Sequence, residues 1–353
     1  MKDFLDLPYI IEYASRCRAS DIHLVCGIPI RLRVDGKLIN LNDRPLTEAE
    51  CEAYARMLSN SYDEISVIGE QDLATSFPGG IRCRVNLFRQ QGCVSAAIRL
   101  LNDHIPTFAE LDLPPAVQRF ANFNQGIVLV TGETGSGKST TLACILDQIN
   151  HTQQKHIITL EDPIEYIYHP DKCVINQREV GQDTRCYEDG LKAILREDPD
   201  VILIGEMRHL STISTALLAA ETGHLVFATL HTNSAADAVN RIVDVFPADQ
   251  QAQIRLQLSM TLQAVLCQQL LPHMSGRGRA KACEVLMVNS AVRNLIREGK
   301  TPQINNVIAT SAAEGCVLMD NSLISLYKQH QITSETAIQA AHDPAYVRKA
   351  TMF

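Results

Sequence analysis

Residues 131 to 141 read TGETGSGKSTT, and their glycines and lysine are spaced to hold a phosphate chain. Gly132, Gly135 and Gly137 let the backbone approach an anion, and successive N–H groups there form a nest for it. Lys138 is placed to reach the β- and γ-phosphates of a nucleotide, and Ser139 to ligate Mg²⁺. Glu133, Thr134, Ser136 and Thr140 complete the loop. The loop alone fits kinases, GTPases, transporters, helicases and motors equally well. Its neighbours in the sequence have to separate these.

Three further stretches supply titratable groups. In DPDVILIGEMRH, residues 198 to 209, the apolar run Val201 to Ile204 predicts a buried strand that delivers Glu206 at its carboxyl end. A carboxylate there can polarise an attacking water or hold hydrated Mg²⁺, which favours hydrolysis over transfer to a bound acceptor. It can also cap the following helix, STISTALLAA, from outside. In TLEDPIEY, residues 159 to 166, a strand ends in Glu161 and Asp162, Pro163 stops the ladder, and Glu165 lies on the exiting turn. Three carboxylates at one strand end can tune Mg²⁺ and water, although an acidic loop is often only a solvated one. In GHLVFATLHTNSA, residues 223 to 235, His224 and His231 flank a short strand. Such a strand spans about 20 Å, so the two imidazoles cannot share a metal. His231 emerges at the carboxyl edge, where it either senses the γ-phosphate or serves as a satisfied structural residue. The catalytic candidates are therefore Glu206, Glu165 and His231.

Arginine matters because phosphoryl transfer often takes one from a neighbouring subunit to neutralise developing charge. Arg82 and Arg84 alternate in RCRVN and share one sheet face. Arg196, Arg208 and Arg241 lie further on. Most arginines are surface solubilisers; Arg82, Arg84, Arg196 and Arg241 are the candidates for an interface role.

These groups need a framework. GIVLVTG, HIITLED, DVILIGE and HLVFATLH are short, nearly continuous apolar runs that alternate with helical stretches. That texture predicts a mainly parallel sheet covered on both faces from residue 125 onward, with a helical tail from about residue 290. Residues 1–102 read differently. An amphipathic helix over 3–17 precedes DIHLVC and IRLRV as strands, with an Asp35-Gly36 hairpin turn. TEAECEAYARMLSNS is a helix opened by Thr47 as N-cap with Glu50 three residues on. GGIRCRVNLFRQQG and CVSAAIRLL follow as a second strand pair, so an antiparallel sheet with helices is expected. Residues 103–124 carry Pro106, Pro114 and Pro115 and suit a linker, either a hinge or a plain connector.

The bulk properties set limits. The chain has 353 residues, 46% of them apolar, 20% charged, with a net charge of −8. The acidic balance argues mildly against a nucleic-acid partner, while leaving room for a local basic patch. No apolar run approaches the ~20 residues that cross a bilayer, and the amino terminus lacks the basic n-region of a signal peptide. A cytoplasmic protein, at most recruited to a membrane, is the expectation. The eleven cysteines show no paired metal-ligand spacing and read as small hydrophobes.

Taken in order, GETGSGKS, TLEDPIEY, LREDPDVILIGEMRH and GHLVFATLHTNSA resemble the Walker A loop, Asp box, Walker B strand and His box of the ATPases of type II secretion and type IV pilus systems. The resemblance covers nearly the whole chain. Within that family the sequence is most similar to the PilT-type pilus retraction ATPases: ASDIHLVCGIPIRLRVDG resembles the start of their PAS-like amino-terminal domain. QREVGQDT, RIVDVFP and LCQQLLP fit as well, and AVRNLIREGKTPQI resembles their carboxy-terminal AIRNLIRE signature. The tetracysteine zinc motif and long extra amino-terminal region usual in extension and secretion ATPases are not in this sequence.

The resemblance implies a RecA-like P-loop ATPase domain behind a PAS-like domain, ATP and Mg²⁺ as ligands, and a homo-hexamer hydrolysing ATP at its subunit interfaces. It implies an inner-membrane pilus platform protein as partner, with another pilus assembly ATPase possible. It assigns Gly132 to Thr140 to phosphate and Mg²⁺, Glu206 to catalysis, Glu161, Asp162 and Glu165 to the Asp box, and His224 and His231 to the His box. Two departures stand out: His209 where the family usually has Asp, and Cys316 for Met in GCVLMDNSL. A P-loop kinase should show a lid and acceptor site, and none is found. A non-hydrolysing assembly module should lack Lys138 or Glu206, and both are present. A secretion or accessory pilus ATPase of the same family is the remaining alternative. In AVRNLIREGK, helical spacing sets Ala291, Leu295 and Ile296 on the buried face and leaves Arg293, Arg297 and Lys300 free for a partner.

Overall fold

Apolar residues at every second position give the first hundred residues a sheet with one buried face. In the computed structural model, which describes residues 5–34, 36–59, 61–101, 104–276 and 278–352, this sheet has six antiparallel strands. They are β1 (Asp21–Leu24), β2 (Arg31–Val34), β3 (Lys37–Asn40), β4 (Glu70–Ser76), β5 (Arg82–Gln90) and β6 (Cys93–Leu100), ordered β3-β2-β1-β6-β5-β4. On β5, Cys83, Val85 and Leu87 are buried, so Arg82 and Arg84 take the opposite face. Helices Leu7–Arg16 and Glu48–Leu58 bring Ile10, Ile11, Tyr54 and Leu58 into the same core. The second helix opens on a reciprocal cap: Glu50 N donates to Thr47 Oγ1, and Thr47 N to Glu50 Oε2. Val34 pairs with Lys37; Asp35, half of the expected turn, lies outside the described residues. Strand β4 has no counterpart in the sequence reading, because its polar residues hide the alternation.

The chain forms two compact units, Met1–His104 with Pro163–Ile167, and Ile105–Asp162 with Tyr168–Phe353. The second unit is built on β7 (Gly126–Thr131), β8 (His156–Glu161), β9 (Val174–Glu179), β10 (Val201–Ile204), β11 (Leu225–Leu230), β12 (Leu262–Pro272) and β13 (Arg279–Met287). Their order is β13-β12-β7-β11-β10-β8-β9; β13 alone runs antiparallel, at the edge. Every residue of β7, β10 and β11 is buried, as sheets covered on both faces require. Because these strands are parallel, Thr131, Glu161, Ile204 and Leu230 all end at one edge of the sheet.

Residues 105–124 are packed into this unit. Helix Pro115–Gln118 runs into a 3-10 turn, Arg119–Asn122, and Leu113, Ala116, Val117 and Phe120 are buried. Past residue 290 come helices Ser290–Arg297, Ile304–Thr310, Met319–Lys328, Ser334–Ala340 and Pro344–Thr351. Buried Glu284 of β13 ties them to the sheet, accepting from Ala235 N at 2.8 Å and Met319 N at 3.5 Å. Burial raises its carboxyl pKa. Among the described residues no helix is long and apolar enough to cross a membrane.

Helix Ser290–Arg297 corrects two expectations. Its buried stripe is Val292 and Ile296, while Ala291 is exposed and Leu295 only half-buried. Arg293 is not free for a partner. Its guanidinium donates to Ser259 O at 2.7 Å, Met260 O at 2.9 Å and Gln263 Oε1 at 3.2 Å. It therefore satisfies carbonyls that helix Gln251–Thr261 leaves open at its end. Most of the cysteines are buried, as small hydrophobes would be; Cys186 is exposed.

Candidate functional site

The phosphate loop leaves β7 at Thr131 and enters helix Lys138–Thr152. At Gly132, with φ 140°, a Cβ would stand 2.3 Å from the carbonyl oxygen of Gln268 on β12, so no side chain fits. That contact lets the loop hug the sheet as it turns. Gly137, at φ 90°, starts the helix in the left-handed region without a side-chain cap. The first N–H groups of the helix are thus left to the loop, which is the arrangement that binds phosphate. Lys138 is buried and folds back over the loop, its Nζ donating to Gly132 O at 2.8 Å and Glu133 O at 3.0 Å. Below it, Gln268 Nε2 donates to Thr141 Oγ1 at 2.9 Å and fixes the helix to β12. Arg279 of β13, unremarked in the sequence, reaches Gly135 O at 3.3 Å.

Glu206 follows β10 by two residues. Its position is set by backbone bonds across the sheet: Gly205 N to Leu160 O at 2.8 Å, and Met207 N to Thr229 O at 3.1 Å. The Thr229 hydroxyl also donates to Gly205 O at 2.5 Å. The carboxylate is shared by two cations or donors. Arg208 Nε and His231 Nε2 both meet Glu206 Oε1, the histidine at 3.0 Å. The hydrogen bond to Glu206, and its charge, raise the pKa of the Arg208 guanidinium. Proximity in sequence hinted at Arg208, but only the fold brings His231 to the same oxygen.

The other candidates fall in different places. Glu161 is buried at the end of β8 and accepts from Thr159 Oγ1 at 2.6 Å, while Asp162 is exposed. Glu165 is exposed and belongs to Pro163–Ile167, the stretch grouped with the first unit. His224 sits at the amino end of β11, away from the carboxyl edge. Its Nδ1 pairs with Ala219 O at 2.9 Å and Thr222 Oγ1 at 3.2 Å, closing helix Leu210–Glu221. Arg196 and Arg241 are exposed on the second unit. His209 is the N-cap of Leu210–Glu221 and makes no side-chain capping bond.

One group near these carboxylates carries no motif signal. Tyr187 opens helix Tyr187–Ile194, and a Cβ on Gly205 would lie 3.0 Å from its hydroxyl. Burial raises the Tyr187 pKa, and the charges of Asp162, Glu161 and Glu206 raise it further, so the phenol stays protonated.

A glycine-rich loop after an inner strand, β7, of a mainly parallel RecA-like sheet, with acidic strand ends on the same edge, defines a P-loop nucleotide-binding fold. The chain belongs to the Type II/IV secretion system protein family, whose model matches residues 5–346. It is 43% identical over 342 residues to the type IV pilus retraction ATPase PilT of Pseudomonas aeruginosa, covering 96% of this chain and 99% of that protein. It is 46% identical over 317 residues to a twitching motility protein of Neisseria gonorrhoeae, covering 88% and 84%. A solved structure of the pilus retraction motor PilT with bound ADP superposes with a TM-score of 0.91 at 46% identity, over 98% of this chain and 99% of that one.

Proposed function

We propose that this chain is an ATP-hydrolysing motor that drives retraction of type IV pili. The observation that carries the reading is Glu206 at the open end of β10, held between Arg208 and His231. The phosphate loop begins two strands away in the same sheet. The likeness to PilT over nearly the full chain supports the choice of machine.

The nest of N–H groups over Gly132 to Thr140 takes the β- and γ-phosphates. Lys138 exchanges its two carbonyl partners for phosphate oxygens, a trade that keeps a buried ammonium satisfied throughout. Glu206 accepts a hydrogen bond from the attacking water and orients it toward the γ-phosphorus. His231 holds the carboxylate in that orientation. The partly covered Ser139 hydroxyl on the first helical turn and the Glu161 and Asp162 carboxylates fit a hydrated Mg²⁺, with Ser139 as its protein ligand. Mg²⁺ supplies neutralisation of charge on the β- and γ-oxygens. Glu165 stays a candidate acid, and Arg82, Arg84, Arg196 and Arg241 are the arginines available to a neighbour's nucleotide in a homo-hexamer. We place the domain divide near residues 102 and 125, and assign the output to an inner-membrane platform protein at the cytoplasmic face.

The test is a Glu206→Gln variant beside the wild type. The wild type should turn over ATP only with Mg²⁺ and as an oligomer, and should restore twitching to cells lacking their own retraction motor. The variant should bind a fluorescent ADP analogue normally and neither hydrolyse ATP nor restore twitching. Wild-type turnover by the variant removes Glu206 from the chemistry.

A further inference from the structure

Strands β12 and β13 do not stop where the rest of the sheet stops. Cys267 of β12 is level with Thr131, the last residue of β7, yet the pairing of β12 with β13 continues to Pro272 and Arg279. At strand rise the ribbon runs roughly 17 Å past the edge from which the phosphate loop leaves. It lies along that loop from end to end. Gln268 O stands against Gly132 at the start of the loop, and Leu270 Cδ1 lies 3.6 Å from where a Cβ of Gly137 would be, at its end. Between them, Nη1 of the Arg279 guanidinium donates to Gly135 O at 3.3 Å. The ribbon is itself braced, since Met274 N donates to Gln331 O at 2.8 Å.

The crest of the loop needs such a hold. Gly135 is exposed, its φ is 80°, and nothing lies within 4 Å of where its Cβ would be, so packing does not fix it. Hydrogen bonds shape the turn instead. Ser136 N donates to Glu133 O at 3.1 Å, and Lys138 Nζ reaches the same oxygen at 3.0 Å. A phosphate chain that draws Lys138 away removes one of these two. The Gly135 carbonyl and the Ser136 N–H share one trans peptide plane and point opposite ways, so holding the oxygen toward Arg279 holds the N–H toward Glu133. We propose that Arg279 is a positioning residue for nucleotide binding, clamping the crest of the phosphate loop through the Gly135 carbonyl so that the loop keeps its shape as Lys138 turns to the phosphates. The proposal rests on the reading of this loop as the nucleotide site. A preformed loop lowers the ordering cost of binding, so the clamp bears on affinity and leaves the chemical step alone.

The experiment compares the wild type with Arg279→Ala as the purified oligomer. Hydrogen exchange of the peptide spanning residues 131–141 is followed without nucleotide, beside titration with a fluorescent ADP analogue, ATPase kinetics and melting curves. In Arg279→Ala the loop amides should exchange several-fold faster. Affinity for the ADP analogue and KM for ATP should weaken about three- to tenfold, the worth of one exposed hydrogen bond. The kcat and the melting temperature should stay at wild-type values. Weaker binding with unchanged loop exchange would mean that Arg279 acts by its charge on the nucleotide, and it overturns the clamp. So does unchanged affinity, a fall in kcat, or a loss of affinity that follows a lower melting temperature. A wild-type protein that fails to bind the ADP analogue brings down the underlying reading instead, and is seen separately.

Discussion

His231 Nε2 stands 3.0 Å from Glu206 Oε1, although the two residues belong to the ends of different strands, β11 and β10. The parallel register of Ile204 with Ala228 brings those ends level. The contact orients the carboxylate when Nε2 carries a proton and donates it to Glu206 Oε1. His231→Ala should therefore reduce kcat about ten- to a hundredfold, the loss of one hydrogen bond to a charged group. Fluorescent nucleotide titration should give wild-type affinity. Full activity in steady-state assays would show that the contact has no part in turnover.

Two arginines on one helix should behave in opposite ways. Arg293 supplies three hydrogen bonds to the end of helix Gln251–Thr261, and Arg293→Ala should cost about 1.5–3 kcal/mol of stability. Arg297 is exposed, with a 3.4 Å contact to Asn294, and its alanine variant should stay within about 0.5 kcal/mol of wild type. In cells, Arg297→Ala should leave ATPase intact and weaken twitching. Denaturant melts that rank the two variants the other way would contradict the packing.

His209 occupies a helix N-cap without a capping bond. An aspartate at this position can accept from the exposed N–H groups of the first turn and complement the helix dipole. His209→Asp should raise stability by about 0.5–2 kcal/mol. A melting temperature equal to or below that of wild type would rule the capping argument out.

The Thr47–Glu50 cap makes the first unit sensitive to acid. The hydrogen bond from Arg44, then those from Thr47, hold the Glu50 carboxyl at about 2 against its ordinary 4.5. A depressed folded-state pKa gives stability that is present above 4.5 and lost as pH falls toward 2. Thermal melts across that window should lose stability less steeply in Glu50→Gln than in wild type, and the two should converge at the acid end. Parallel curves would mean that the cap carries no linkage.

Much of the site was legible in the residues. The phosphate loop is a local motif whose glycines and lysine act within a few residues of one another. The four apolar runs announced β7, β8, β10 and β11, because strands buried on both faces admit little else. For the same reason Glu206 could be placed at a strand end. The Thr47 cap was equally local. By contrast, β4 and β9 carry polar residues and lie at sheet edges, so neither shows a clean period. Strand β12 interrupts its apolar run with Gln263, Gln268 and Gln269, and its place beside β7 is what obliges residue 132 to be glycine.

The sequence by itself determined the glycine-rich loop, the parallel sheet and the acid at the end of β10, since each depends on neighbours in the chain. Tertiary structure decided which distant groups share that acid. His231 reaches it through strand register, and Arg293 turns from a free cation into a helix cap through contacts more than thirty residues away. Periodicity reports which face of an element is buried; it carries no information about which element lies opposite.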